Sequence, residues 1–421
     1  MEEEIKTETF LEKHYGTIDT VIEAGLYLFI FFLFLTKGEG VRNVLLYSNF
    51  ILWLATVRQR KNLSILKEPV ALIYWGFMIS TFVSAVFSID IRYSFKELDG
   101  DFLKPLLFFP VLATVLSDNK RLKRFAWLAL FLLIFLVANG FYSYLVYNMP
   151  MMLSETPLRH AFHNRFARDL NLFLAFSFAL LLMTKAVISR IFIALAVLTG
   201  IFSLILTVSR GGIIAFLAIS AVWLASSFRR RYVHLKPVLI GVLLAVVLSG
   251  VIAYVFVPDI KKRISLVTQT ENQIVTLNKR TTIWMPVLYA AMKRPFFGWG
   301  YGEKIFRRDT PFEGTPYKTS PYKQDIQLRD PHNTFLSELF TQGIVGLGLY
   351  LALLITATGR FWKGTYSTNE TTNYILLACT SILIGTYFVH SMVEVVKFRY
   401  LTLILGIGLA AKHVNSEDSH H

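Results

Sequence analysis

Apolar residues run along this chain in stretches of about 20, each long enough to cross roughly 30 Å of hydrocarbon as a helix. Twelve such stretches are read, at 19–36, 41–57, 69–88, 102–117, 124–147, 169–186, 188–208, 211–228, 237–257, 333–358, 373–391 and 397–412. Pro105 and Pro110 interrupt the fourth. Only "SRGG" (209–212) breaks the seventh from the eighth. The pattern predicts an all-α polytopic membrane protein with about 12 transmembrane helices. Residues 1–257 hold the first nine, 258–332 form one long loop containing amphipathic helices, and 333–421 hold the last three and a tail.

Composition agrees. Of 421 residues, 54% are hydrophobic, and the mean hydropathy is +0.51, too apolar for a soluble chain of this length. The net charge of +15 points to nucleic acid in a soluble protein, but here it divides between the two sides of a bilayer. Lys and Arg concentrate in "RQRKNLSILK" (58–67), "DNKRLKR" (118–124), "FRRRYVHLK" (228–236) and "GRFWK" (359–363). The positive-inside rule places these loops, and both termini, in the cytoplasm. The segments 89–101, 148–168, 209–212, 258–332 and 392–396 then face outside. The long one is also basic, which suits an anionic ligand there and does not oppose the assignment, since long loops cross largely regardless of charge. The acidic start, "MEEEIKTETFLEKHYG", is not a cleavable signal peptide. The single cysteine, Cys379, excludes an intramolecular disulfide and a cysteine-rich metal site.

Three external stretches carry candidate chemistry. In "NKRTTIWMPVLYAAMKRPFFGWGYG" (278–302), Arg280, Trp284 and Val287 share one helical face, and Gly298, Gly300 and Gly302 form a turn after Pro295. The structural alternative is an amphipathic helix on the membrane surface. In "LTVSRGGIIAF" (206–216), Arg210 is either a snorkelling cation or the lining of a wet cavity. In "RHAFHNRFARDLNLFLAF" (159–176), His160, His163, Arg165 and Arg168 precede a span, with Asp169 available to pair with an arginine. Arginines converging at the mouth of a bundle would hold a diphosphate through bidentate hydrogen bonds. The "DGD" at 99–101 is an Asp-x-Asp pattern, but a loop-and-cap role for Asp99 and Asp101 accounts for it. The glycines at 298–302 follow no strand of a βαβ unit, so they are no nucleotide fingerprint.

A fourth stretch, "RDPHNTFLSELFTQGIVGLGLY" (329–350), opens a span. Asp330 is expected to cap the helix and Pro331 to take its first position, with His332 in the first turn, where the helix dipole favours a neutral ring.

"SRGG", "RTTIWMPVLYAAMKRPFFGWGYG" and "HNTFLSELFTQGIVGLGLY" occur in this order, with the long external loop before the last three spans. In this the chain resembles the bacterial O-antigen ligase and polymerase superfamily of inner-membrane glycosyltransferases. The resemblance implies a donor glycan on undecaprenyl diphosphate at the periplasmic side. The acceptor is lipid A–core oligosaccharide for a ligase and a second lipid-linked glycan for a polymerase. It implies no metal and no other cofactor. Carried over by motif, Arg210 and Arg280 are the catalytic arginines and His332 the catalytic base. Arg165, Arg168, His163, Trp284 and Asn333 are expected to contact substrate. A ligase is favoured because the chain ends soon after its twelfth span, where many protein-glycosylating relatives carry a further domain. A transporter of lipid-linked glycan would need the arginines but no base.

Overall fold

The computed structural model describes residues 10–35, 37–147, 154–155, 160–228, 241, 280–314, 331–366 and 369–418. The elements are helical apart from a two-residue antiparallel pairing of Ser154–Glu155 with His160–Ala161. We label the helices α1 (Tyr15–Leu33), α2 (Glu39–Ala55), α3 (Pro69–Val86), α4 (Ile91–Leu98), α5 (Lys104–Val115), α6 (Asn119–Tyr147) and α7 (His163–Met183). Then follow α8 (Val187–Leu206), α9 (Arg210–Ser227), α10 (Arg280–Lys293), α11 (Thr334–Gly364), α12 (Glu370–Ile382) and α13 (Phe398–Asp418).

The protein is an all-α polytopic membrane protein. Among the described residues, eight helices are long and apolar enough to cross a membrane: α1, α3, α6, α7, α8, α9, α11 and the run Glu370–Met392 that begins with α12. Helices also occupy the expected spans 41–57, 102–117 and 397–412, as α2, α5 and α13. The 12-residue α5 is short for a crossing. The expected span 237–257 lies outside the described residues.

Helix α7 is the most enclosed of the eight, which is why its sequence is apolar around most of its circumference. Its Phe166, Leu170, Phe173 and Phe176 sit in the main core, with residues of α1, α6, α12 and α13 in the same cluster. Outward-facing Ile188, Ile191 and Leu195 of α8 are exposed, as a lipid-facing stripe requires.

"DGD" is neither a loop nor a cap. Asp99–Leu103 is a π-helical turn that joins α4 to α5. Such a turn absorbs an extra residue without breaking the helix, so the two helices run on from each other. Asp99 lies 4.0 Å from Lys104 and is largely exposed. The cap of α4 is instead Asp90, which accepts from the Tyr93 N–H at 3.1 Å.

The two ends of the bundle differ in charge chemistry. At one end, the basic loops tie back to buried acids of α1. Asp19 pairs with Arg60 at 2.6 Å and Arg121 at 2.5 Å, and Glu23 with Arg121 at 3.2 Å and Arg124 at 2.7 Å. Glu68 draws in Lys412 at 2.7 Å and Arg360 at 3.8 Å. Three of the four basic loops therefore meet at this end, and α7, α9, α11 and α13 begin at the other. Of "FRRRYVHLK", 229–236 lie outside the described residues.

Candidate functional site

The N-terminal ends of α7, α9 and α11 are bound to one another by short side-chain links. In "SRGG", Ser209 caps α9, its hydroxyl accepting from the Gly212 N–H at 3.1 Å. The same hydroxyl donates to Asn164 Oδ1 in the first turn of α7 at 2.8 Å. Asn164 donates in turn to the carboxylate of Glu394 at 3.2 Å, and Arg165 approaches that carboxylate at 3.7 Å. The carbonyl of Glu394 accepts from the Thr334 hydroxyl, the first residue of α11, at 3.0 Å. Gly212 permits this approach: a Cβ there would collide with Ala167 Cβ of α7. From α7, Asn171 also donates to the Gly212 carbonyl at 2.8 Å.

Arg210 is the first residue of α9 and is exposed. It stands where three helix N-termini point the positive ends of their dipoles, the arrangement that binds anions. A fourth, α13, begins beside them.

The loop that carries the second motif folds onto α11. Helix α10 begins at Arg280, whose side chain lies outside the described residues. One turn on, the Trp284 indole donates to the Pro331 carbonyl at 2.9 Å, joining α10 to the residue before His332. Val287 and Ala290 are buried with Trp299, Ile305, Phe306 and Phe340 in a second core. The opposite face, Met285, Tyr289 and Met292, is exposed and apolar. So α10 does more than lie on a surface: one face is packed and the other is exposed.

"PFFGWGYG" (295–302) is a strap. Helix α11 kinks at Gly343, where φ is 69°. The kink leaves backbone groups without helical partners, and the strap supplies them. The Trp299 N–H donates to Phe340 O at 2.9 Å, and the Ile344 N–H to Pro295 O at 2.7 Å. Gly298 has φ 71° and its α-carbon faces the Thr341 carbonyl with no room for a Cβ, so only glycine serves there.

His332 is half-buried and has a positive φ of 47°. Its expected place in the first turn of α11 is corrected. The cap is Asn333, whose Oδ1 accepts from the Leu336 N–H at 3.1 Å, and the helix starts at Thr334. A residue in the left-handed region cannot continue a helix, so the helix begins after it. Asp330, the expected cap, lies outside the described residues. Among the described residues, two non-glycine positions have positive φ: His332 and Val208, at 52°. Both adjoin the candidate site, Val208 lying two residues before Arg210. Such conformations cost on the order of 1–3 kcal/mol each and gather at functional sites.

The other expected substrate contacts divide into two groups. His163, half-buried, opens α7, and Arg165 is 44% exposed at its side chain, so both border the open end. Arg168, Asn333 and Trp284 are engaged within the protein. The Arg168 guanidinium is buried, donates to Asp169 at 2.6 Å and lies 4.4 Å over the Tyr400 ring. This is the pairing with Asp169 that the sequence already offered. Asn333 is used as the cap and Trp284 as the tie to Pro331. The sequence reading missed Asn164, Thr334 and Glu394. Glu394 did leave a signal, an acid in the apolar run "SMVEVV", where burial demands partners.

Comparison with known proteins matches residues 194–351 to the family described as O-antigen ligase. That segment contains Arg210, Arg280 and His332. The chain is 24% identical over 341 residues to the O-antigen ligase of Salmonella typhimurium strain LT2, covering 78% of this chain and 80% of the relative. It is 28% identical over 283 residues to the O-antigen ligase of Pseudomonas aeruginosa strain PAO1, covering 66% of this chain and 60% of that relative. The resemblance drawn from the three motifs is thereby borne out.

Proposed function

We propose that this chain is an inner-membrane glycosyltransferase of the O-antigen ligase kind, working at the end of the bundle where α7, α9 and α11 begin. It would take a glycan from undecaprenyl diphosphate and join it to a sugar hydroxyl of lipid A–core oligosaccharide. The basic loops at the opposite end would lie in the cytoplasm with both termini, and the site would face the periplasm. One observation carries the reading. The residues beside Arg210 and His332, and the helix that opens on Arg280, are tied into one cluster through Ser209, Asn164, Glu394, Thr334 and Trp284.

The chemistry asked of these residues is modest. The acceptor oxygen forms a bond to the anomeric carbon as that carbon's bond to the phosphate oxygen breaks. His332 takes the hydroxyl proton, a step that suits an imidazole near neutral pH. The lipid diphosphate leaves with its electron pair and needs no proton where fixed positive charge receives it. Arg210 and Arg280 supply that charge, the helix N-termini add to it, and Arg165 and His163 border the substrate. Arg168, Asn333 and Trp284 hold these groups in place. A single displacement inverts the anomeric centre. No metal is required of the mechanism, so transfer should survive EDTA.

The test is transfer by purified protein in detergent, with lipid-diphosphate glycan and either lipid A–core or a second lipid-linked glycan as acceptor. Product on lipid A–core supports the ligase. Lengthened lipid-linked glycan makes the chain a polymerase. Donor binding without any transfer leaves the transporter reading standing and sinks this one.

A further inference from the structure

Beside the candidate site, at the same end of the bundle, lies a cavity of about 300 Å³ that the mechanism above does not use. Its rim carries five cations, Arg42, Lys96, Lys104, Lys397 and Arg399, against three carboxylates, Glu39, Glu97 and Asp99. Its inner wall is apolar, made by Phe29 and Leu33 of α1 and by Pro105 and Phe108 of α5. A charged mouth above an apolar wall matches a molecule with an anionic head and a hydrocarbon body.

Three of the five cations are held in place by neighbouring groups. The Arg42 guanidinium donates to the Leu35 carbonyl at 3.2 Å. Lys104 reaches Glu39 at 3.3 Å and Asp99 at 4.0 Å, so two of the three acids gather on one lysine. Arg399 donates to the Tyr400 hydroxyl at 3.2 Å and lies over that ring at 5.0 Å. Tyr400 carries Arg168 on the same ring, so it stands between this cavity and the α7 wall of the candidate site. Helix α13 begins between Lys397 and Arg399, adding the positive end of its dipole. The surplus of positive charge is felt at Glu39, which precedes the second span. The hydrogen bond from Lys104, then the nearby charges of Lys104, Arg42 and Arg399, hold its carboxyl below the ordinary carboxylate range.

We propose that this cavity seats a phosphate or diphosphate group of an amphipathic lipid substrate, separate from the residues that receive the leaving group. The inference rests on the glycosyl-transfer reading above for the identity of that lipid. Phosphate oxygens would be held by Lys96 and Lys397 at the rim and by Arg42 and Arg399 further in, with the lipid chain against Phe29 and Phe108. The same chemistry belongs to two sources, the donor's diphosphate on its way to Arg210 and Arg280 and the phosphates of the lipid A acceptor.

Lys96→Glu and Lys397→Glu, singly and together, test this. Both lysines are exposed, and neither is assigned to the reaction. With the double variant, KM for one lipid substrate is expected to rise about tenfold or more while kcat stays within about twofold. A rise in KM for lipid A–core that vanishes when the acceptor is first dephosphorylated assigns the cavity to the acceptor. A rise in KM for the donor alone assigns it to the donor. Unchanged KM for both overturns the proposal. Calorimetric titration with farnesyl diphosphate and with lipid A in detergent, in an Arg210→Ala/Arg280→Ala background that removes the leaving-group site, keeps the two readings apart. Affinity for either lipid lost on adding Lys96→Glu and Lys397→Glu supports the cavity even if the wild type transfers no glycan, and affinity retained for both overturns it.

Discussion

At the residue scale, His332 combines two properties that bear on its role. It occupies a strained left-handed backbone position, and it sits one residue from the cap that starts α11. Glycine tolerates that conformation without penalty. His332→Gly is therefore expected to unfold at the same temperature as the wild type or higher, while transfer falls about a hundredfold or more. Circular dichroism melting and the detergent transfer assay check the two halves. Wild-type turnover in a folded variant would remove the base assigned here. Nothing in "RDPHNTF" marks that strain. The sequence offers Asp330, Pro331 and Asn333 as competing helix-start signals, and local chemistry alone does not rank them. The choice falls to Asn333 because the chain must turn sharply at His332 before α11 begins.

At the element scale, the second motif works by docking. Helix α10 and the strap that follows it are held to α11 by the Trp284–Pro331 hydrogen bond, the aromatic core around Phe340 and the backbone bonds at the Gly343 kink. A neutral hydrogen bond of this type contributes about 1 kcal/mol. Trp284→Phe keeps the aromatic bulk and removes the donor, so kcat should drop about fivefold, with little change in the melting temperature of the bundle. Unaltered kcat would show that α10 needs no tie to Pro331. The helix itself was legible in the spacing of Arg280, Trp284 and Val287, and so was the turn at Gly298–Gly302. That the turn closes over a helix kink was not, because the partner atoms are backbone groups exposed by a break at Gly343, about 45 residues beyond Gly298.

At the scale of the whole molecule, charge is sorted by end. Among the described residues, three of the four basic loops that set the expected orientation place arginines in ion pairs with Asp19, Glu23 and Glu68, while the opposite end gathers helix N-termini, Arg165, Arg210 and the cationic cavity. Removing one partner of a buried pair leaves the other uncompensated, at a cost of about 3–5 kcal/mol. Asp19→Asn, which faces Arg60 and Arg121, should accordingly lower the thermal stability of the detergent-solubilised protein and leave KM for both lipids unchanged in the folded fraction. A variant that melts like the wild type would show the network to be incidental. The sequence by itself determined the all-α membrane class, most of the helices, and the four stretches proposed to carry chemistry, because span length, turn residues and charge asymmetry are local properties of the chain. Only the tertiary structure decided which residues of those stretches face the open end and which hold the wall. Arg165 and Arg168 are three residues apart on one helix, yet one borders the open end and the other is sealed between Asp169 and Tyr400. That division depends on what packs against α7, and α13, which supplies Tyr400, lies more than 200 residues away in sequence.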